Sequence, residues 1–254
     1  MKKVMGRPKL LKDVPYHYCP GCGHSVIHRL LAEVIEEMGF RDRCIGVPPC
    51  GCAVLAYYYL DVDMVEAAHG RATAVATGIK RCLPEAVVFT YQGDGDLAAI
   101  GTSEVIHSAN RGECITSIFV NNMCYGMTGG QMAPTSILGQ KTTTTPRGRE
   151  LKRDGPPLKM CEFLSPLEGT AYLARDTVHD AKGILRTRRH LREAFQCQLD
   201  NRGFSMVEIL SPCPSNWKLS PVESCRRIEN EMKKHFPLGV FKGAGTKQKQ
   251  AGNA

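Results

Sequence analysis

The sequence of 254 residues has no long uncharged apolar run, and its first residues are basic rather than apolar. A membrane-spanning helix needs about 20 consecutive, predominantly apolar residues. A secretory signal peptide needs an apolar stretch behind its first charges. We therefore expect a soluble protein of the cytoplasm without a membrane segment.

Net charge is scarce in the body of the chain, although the formal charge of the whole is +8. Five basic residues and no acidic ones lie in the first twelve positions, and three lysines with no acidic residue lie at position 242 or later. These terminal charges equal the whole excess, so the rest is close to neutral. Proteins that bind nucleic acid usually carry a broad positive face. We therefore expect no nucleic-acid partner.

Composition predicts a folded body with two distinct ends. Hydrophobic residues make up 43% of the chain and charged residues 23%, which is ordinary for a globular protein and excludes general disorder. We expect a basic arm over residues 1–16, a folded domain over 17–242 and a disordered tail over 243–254.

Continuous apolar runs, rich in β-branched residues, alternate with stretches of helical spacing. The predicted strands lie at 44–47, 86–91, 115–120, 170–174 and 204–210, and the predicted helices at 25–38, 66–82, 97–110, 180–196 and from 221 to about 234. This order predicts an α/β fold with a mostly parallel sheet and helices on both faces. Ligands of such folds bind beyond the carboxyl ends of the strands. Residues 126–160 have no strong periodicity, and loops of that length are usually functional.

A glycine-rich motif, Gly93-Asp94-Gly95-Asp96, joins a predicted buried strand to a predicted helix. Glycines let a backbone approach an anion, and the start of a helix offers free N–H groups. Asp94 supplies an oxygen ligand suited to a hard cation. The motif alone is weak, because Asp-Gly pairs also form plain turns.

A pair of asparagines follows the next predicted strand. Asn122, the second of the pair, comes 28 positions after Asp94. Two neighbouring parallel strands end side by side, so Asp94 and Asn122 could bind one Mg²⁺ together with the carbonyl of Cys124.

Twelve cysteines are many for a reducing compartment, where structural disulfides are rare. Cys19 and Cys22 form a Cys-x-x-Cys pair before a predicted helix, which suits a zinc half-site, a redox pair or half of an iron–sulfur site. Cys50-Gly51-Cys52 is a partial second half for zinc. The residues alone leave these possibilities open. The single cysteines at 44, 82, 114, 161 and 197 are predicted to be small buried hydrophobes.

Gly-Asp-Gly followed at this spacing by Asn-Asn resembles the thiamine-diphosphate motif. The stretch 121–131, with the sequence NNMCYGMTGGQ, resembles the β subunit of 2-oxoacid:ferredoxin oxidoreductases. The resemblance extends over about residues 15–242 and implies the thiamin-diphosphate-binding fold. Gly46-Val47-Pro48-Pro49 and Pro214-Ser215-Asn216-Trp217 look most like the 2-oxoisovalerate or 2-oxoglutarate branch.

The resemblance implies one cofactor site and one Mg²⁺ site. The Mg²⁺ ligands would be the side chains of Asp94 and Asn122 and the backbone oxygen of Cys124. His69-Gly70-Arg71 matches a His-Gly-Arg element that lies near the cofactor in this family. The implied cofactor-binding residues are Gly51, Cys52, His69, Gly70, Gly93, Asp94, Gly95, Asp96, Asn122, Cys124, Tyr125, Gly126, Met127 and Thr128.

The resemblance also implies a [4Fe–4S] cluster. The family holds it through Cys-Pro-x-Cys, a Gly-Cys step and a late Pro-Cys step, which match Cys19, Cys22, Cys52 and Cys213. Cys50 departs from the pattern, and we favour Cys52 because its Gly-Cys step matches.

The implied reaction is the CoA-dependent oxidative decarboxylation of a 2-oxoacid, with electrons passing through the cluster to ferredoxin. No catalytic residue is expected in this chain, because the glutamate that activates thiamine belongs to a homologous domain. That domain would be the α subunit, and γ and δ subunits are further candidate partners. Two alternatives remain: a non-redox thiamine-diphosphate decarboxylase or synthase subunit, and a zinc-stabilised basic binding module.

Overall fold

The computed structural model describes residues 6–243, and these residues form a sheet of seven strands. The strands are β1 (Cys44–Val47), β2 (Asp63–Met64), β3 (Val87–Gly93), β4 (Thr116–Asn121), β5 (Thr170–Thr177), β6 (Phe204–Leu210) and β7 (Gly239–Lys242). Their order in the sheet is β2-β1-β3-β4-β6-β5-β7. All neighbouring pairs are parallel except β5 and β7, which are antiparallel.

The connections between the strands contain helices of very different lengths. The α-helices are α1 (His24–Met38), α2 (Ala56–Tyr59), α3 (Ala72–Cys82), α4 (Thr102–Arg111), α5 (Leu151–Asp154), α6 (Met160–Leu164), α7 (Ala181–Leu199), α8 (Pro214–Trp217), α9 (Pro221–Arg227) and α10 (Lys233–His235). Residues Asp96–Ile100 and Ile228–Met232 form π-helical turns, and Arg41–Arg43 and Cys52–Leu55 form 3-10 turns. None of the helices within residues 6–243 is both long enough and apolar enough to span a bilayer.

Helices cover both faces of the sheet, and the pleat of the strands divides the core between them. Phe89 of β3 packs in one cluster with residues of α1 and α7. Its neighbour Val88 points to the other face, into a cluster with residues of α3 and α4. The central strands β3, β4 and β6 are buried on both faces, as expected of a parallel sheet between helical layers. The predicted α/β fold with helices on both faces is therefore confirmed.

The ends of the sheet differ from the sequence-based prediction. All five predicted strands are present, but β2 and the antiparallel edge strand β7 were not predicted. Both are short and half-exposed, so they lack the apolar run that identifies a buried strand. The helix predicted over 66–82 begins at Ala72. The helix predicted over 97–110 is divided into the π-helical turn and α4.

The N-terminal segment is partly integrated into the domain. Leu10 and Leu11 of the predicted arm are buried in the main core, and Leu11 forms an isolated β-bridge with Leu60. The prediction of a separate basic arm was therefore wrong for these two leucines, which belong to the core. Of the predicted disordered tail, residues 244–254 lie outside the described part of the chain, as do residues 1–5.

The long segment 126–160 is organised mainly by one arginine. Arg149 is 6% exposed, and its guanidinium group donates hydrogen bonds to six backbone carbonyls. The acceptors belong to Ala133, Pro134, Ser136, Asp154, Gly155 and Pro156. Because carbonyl groups need partners when they are buried, this one side chain takes the place of regular secondary structure.

Candidate active site

Two neighbouring parallel strands bring the two predicted motifs together. Gly93 at the end of β3 pairs with Val120 near the end of β4. The carboxylate of Asp94 accepts hydrogen bonds from the backbone N–H groups of Asn122 and Cys124, each at 3.2 Å. The Gly-Asp-Gly motif and the asparagine pair therefore meet at the carboxyl edge of the sheet.

The carboxylate of Asp94 is buried and has no cationic partner among residues 6–243. It is 2% exposed, and its remaining donors are the N–H of Gly95 at 2.9 Å and the hydroxyl of Thr135 at 2.7 Å. Burial raises the pKa of Asp94 to about 7, although these hydrogen bonds oppose the shift. A buried charge without a counter-charge is costly, so a divalent cation fits this carboxylate.

The side chains of the two asparagines lie in different surroundings. The side chain of Asn121 turns into the sheet, where its amide donates to Glu208 at 2.8 Å. Glu208 forms a buried ion pair with Arg175, also at 2.8 Å. Asn122 remains on the cavity side, and its backbone carbonyl accepts a hydrogen bond from the indole of Trp217 at 3.0 Å. Only Asn122 is therefore available to a ligand.

A cavity of about 500 Å³ lies at this edge of the sheet. Its wall includes every predicted cofactor-binding residue except Gly70. The N–H of Gly70 donates to the carboxylate of Asp96, which is itself a wall residue. Four wall residues were not predicted from the sequence: His24, Cys50, Ala53 and Gln131. His24 could have been suspected, because it follows the Cys-x-x-Cys pair almost directly.

The imidazole of His69 has a fixed orientation in the cavity wall. Its Nδ1 lies 3.0 Å from the carbonyl oxygen of Cys50 and 3.0 Å from a carboxylate oxygen of Asp96. Both neighbours are acceptors, so Nδ1 carries the proton and Nε2 is left as the second polar atom of the ring. Asp96 is itself held by the amide of Gln92.

Two glycines leave room where the segment after β3 approaches the segment after β4. A Cβ atom at Gly95 would overlap the ring of Tyr125, and a Cβ atom at Gly126 would lie 3.2 Å from the sulfur of Cys52. Gly95 precedes the π-helical turn at Asp96, and N–H groups at such a start can face an anion. The small residues thus let two backbone segments line one cavity.

The four predicted cluster thiols come from three segments of the chain, and neighbouring thiols of this set raise the pKa values of Cys22 and Cys52. Burial raises the pKa of Cys22 to about 12, with smaller contributions from Cys213, Cys52 and Cys19. Burial likewise raises the pKa of Cys52 to about 11, with contributions from Cys213 and Cys19. All twelve cysteines are free thiols. Four thiols are the number of ligands that a [4Fe–4S] cluster needs.

The thiols are not grouped as ligands of a single metal ion. Within residues 6–243, no three His, Cys, Asp or Glu side chains are grouped closely enough to bind one metal ion. A four-iron cube holds its thiolates farther apart than one ion does, so this finding does not bear on the predicted cluster. The exposed thiol of Cys50 instead donates to Glu66 at 3.8 Å.

Two further cysteines, Cys82 and Cys124, have surroundings that the sequence did not predict. Cys82, predicted to be buried, is exposed at the end of α3. Cys124 is buried and its thiol donates to the side-chain oxygen of Asn122 at 3.6 Å, while the neighbouring thiol of Cys124 is the largest influence that lowers the pKa of Cys213. The side chains of Thr135 and Asn216 also contact site residues. No sequence signal marked Thr135, and the motif that contains Asn216 indicated the family branch but no role for this side chain.

Comparison with known proteins first identifies the class of protein to which the chain belongs. Residues 50–209 match the family described as "Thiamine pyrophosphate enzyme, C-terminal TPP binding domain". The chain also has the fold of a 2-oxoglutarate:ferredoxin oxidoreductase from Magnetococcus marinus. The TM-score is 0.77 at 24% identity, over 96% of this chain and 87% of that one. This is a thiamine-pyrophosphate-binding domain.

Curated relatives then define the family. Ketoisovalerate oxidoreductase subunit VorA of Methanothermobacter thermautotrophicus is 47% identical over 95% of this chain and 53% of its own length. The 2-oxoglutarate synthase subunit KorB of Archaeoglobus fulgidus is 34% identical over 90% of this chain and 85% of its own length. The chain thus spans about half of VorA and most of KorB. It belongs to the family of 2-oxoacid:ferredoxin oxidoreductase subunits, which confirms the resemblance seen in the sequence.

The substitution Gly70→Ala tests the packing behind the cavity. Gly70 has a φ of +78°, and a Cβ atom there would lie 2.9 Å from the carbonyl carbon of Ile100 and 3.0 Å from the nitrogen of Gly101. We expect a loss of about 1–3 kcal/mol in the free energy of unfolding, because both strain and overpacking act. Chemical denaturation measures this difference.

The matched control is Gly78→Ala in α3, where a Cβ atom meets nothing within 4 Å. It should be neutral or stabilising by up to about 1 kcal/mol, the ordinary helix preference for alanine. Equal stability of the two variants would contradict the packing described for Gly70.

Proposed function

We propose that this chain is the thiamine-diphosphate-binding subunit of a 2-oxoacid:ferredoxin oxidoreductase that decarboxylates a 2-oxoacid oxidatively and transfers the acyl group to coenzyme A. The observation that carries the proposal is the convergence of Asp94 and Asn122 on a cavity whose wall also contains Cys52. One edge of the sheet thereby offers hard oxygen ligands and a soft thiol side by side. A non-redox thiamine enzyme has no use for the thiols.

The oxygen ligands suit Mg²⁺ and a diphosphate. Asp94, Asn122 and the carbonyl of Cys124 would hold the ion, and the backbone around Gly95 would face the diphosphate. The outer hydrogen bond from Thr135 fixes the carboxylate of Asp94, as partners behind a metal ligand commonly do. Thiamine diphosphate, when bound, supplies the electron sink that lets CO₂ leave the 2-oxoacid.

The thiols suit a [4Fe–4S] cluster held by Cys19, Cys22, Cys52 and Cys213. Such a cluster accepts electrons singly and would pass them to ferredoxin. The exposed thiol of Cys19 indicates where the cluster would approach the surface. Because this cluster requires free thiols, we place the function in the cytoplasm, where disulfides are rare.

The cavity wall favours a 2-oxoacid with an apolar side chain. Among the described residues, no lysine or arginine lines the cavity, so the second carboxylate of 2-oxoglutarate would find no cation from this chain. The higher identity to a ketoisovalerate oxidoreductase subunit than to a 2-oxoglutarate synthase subunit points the same way. We propose a substrate similar to 2-oxoisovalerate, with 2-oxoglutarate as the alternative.

A partner must complete the site. No glutamate among the described residues lines the cavity, yet thiamine enzymes need a carboxylate beside the aminopyrimidine. We propose that an α subunit supplies this glutamate and closes the cavity, and that γ or δ subunits can join the complex.

The metal site is tested with Asp94→Asn and Asn122→Ala. In the complex freed of cofactor, both substitutions should weaken Mg²⁺-dependent binding of thiamine diphosphate by more than the roughly 10–100-fold that follows loss of an outer-shell partner. Isothermal titration measures the affinity. The control Asn110→Ala, at an exposed position of α4, should bind normally. Wild-type affinity in the two site variants would rule out this Mg²⁺ site.

The cluster is tested by metal analysis after anaerobic purification. We expect about four iron atoms and as much sulfide per chain, a brown colour, and loss of both in Cys52→Ser. Cys50→Ser is the matched control and should keep its iron. Zinc in place of iron, or iron lost from Cys50→Ser and retained by Cys52→Ser, would contradict the assignment.

Turnover is expected to need the partner. The purified single chain should show no 2-oxoacid-dependent reduction of a viologen dye in the presence of coenzyme A, and the chain co-purified with its neighbouring subunits should show it. The assay should compare 2-oxoisovalerate, 2-oxoglutarate and pyruvate. Robust activity of the single chain would mean that the activating carboxylate lies in this chain after all.

A further inference from the structure

The side chain of Asn216 bridges the two halves of the site. Asn216 lies in α8, three positions after Cys213, and its amide nitrogen donates to the sulfur of Cys213 at 3.2 Å and to the carbonyl oxygen of Gly126 at 2.8 Å. An amide NH₂ group has two hydrogens, so both bonds can form at once. One acceptor, Cys213, is a proposed cluster ligand. The other, Gly126, belongs to the segment 122–130, which follows β4 and lines the cavity.

Packing around Asn216 holds the bridge in place. Gly130, with a φ of +78°, lies against it so closely that a Cβ atom there would be 3.0 Å from the side-chain oxygen of Asn216. The next residue, Trp217, donates its indole N–H to the backbone carbonyl of Asn122. Two consecutive residues of α8 thus hold the segment 122–130 at different points.

We propose that Asn216 is a positioning residue that tunes the reduction potential of the cluster and fixes the position of the segment 122–130 relative to the cluster. The proposal rests on the function given above. A hydrogen bond to a cluster sulfur stabilises the more negative, reduced state and so raises the potential. The bond to Gly126 holds a backbone segment that packs against Cys52, whose sulfur would lie 3.2 Å from a Cβ atom at Gly126.

The experiment uses the anaerobically purified complex carrying Asn216→Leu, which has a similar size and no donor. We expect wild-type iron content, a more negative midpoint potential in a redox titration followed by electron paramagnetic resonance, and about tenfold weaker binding of thiamine diphosphate with Mg²⁺. The control Ser215→Ala changes an exposed neighbour in the same helix and should leave all three values unchanged.

A second variant keeps the result decisive if Asn216→Leu loses its cluster. Asn216→Gln keeps the amide on a side chain one methylene longer, so it cannot form both bonds with the same geometry and should shift the potential in the same direction by less. A wild-type potential in every variant that retains iron would overturn the proposal. Absence of iron from the wild-type complex would instead refute the proposed function.

Discussion

The rest of the site depends on the buried carboxylate of Asp94. It accepts hydrogen bonds from its neighbour Gly95, from Asn122 and Cys124 beyond β4, and from Thr135 in the long loop. Segments that are distant in sequence therefore meet at this one carboxylate. Burial raises the pKa of Asp94 to about 7. A divalent cation would favour the ionised form and so strengthen the same hydrogen bonds that position its other ligands.

The central sheet was predictable because each of its buried strands is one continuous apolar run. β1 and β6 have the bounds that were predicted. The edge strands β2 and β7 were missed, because pairing rather than burial defines them. Leu10 and Leu11 were missed for a related reason: the basic residues around them dominate the composition, and only the tertiary structure shows that both leucines reach the core.

The site was predictable where a motif follows a strand, and not where a single side chain arrives from elsewhere. Asp94 and Asn122 stand at strand ends, so topology alone brings them together. Thr135 reaches Asp94 across 41 positions, and Asn216 reaches Gly126 across 90. Threonine and asparagine are common surface residues, and no spacing distinguishes these two. Arg149, which organises the loop that presents Thr135, carried no signal either.

The closeness of the two proposed sites follows from strand order. β1, β3, β4 and β6 are consecutive in the sheet, and the segments after their carboxyl ends carry Cys52, Asp94, Asn122 and Cys213 in that order. The oxygen ligands therefore follow β3 and β4, and two of the thiols follow the adjacent strands β1 and β6. Only the pair Cys19 and Cys22 comes from outside the sheet, in the loop before α1. Strand order therefore brings the proposed oxygen and sulfur ligands to one edge of the sheet, and the loops that follow β1 and β6 place the two thiols there.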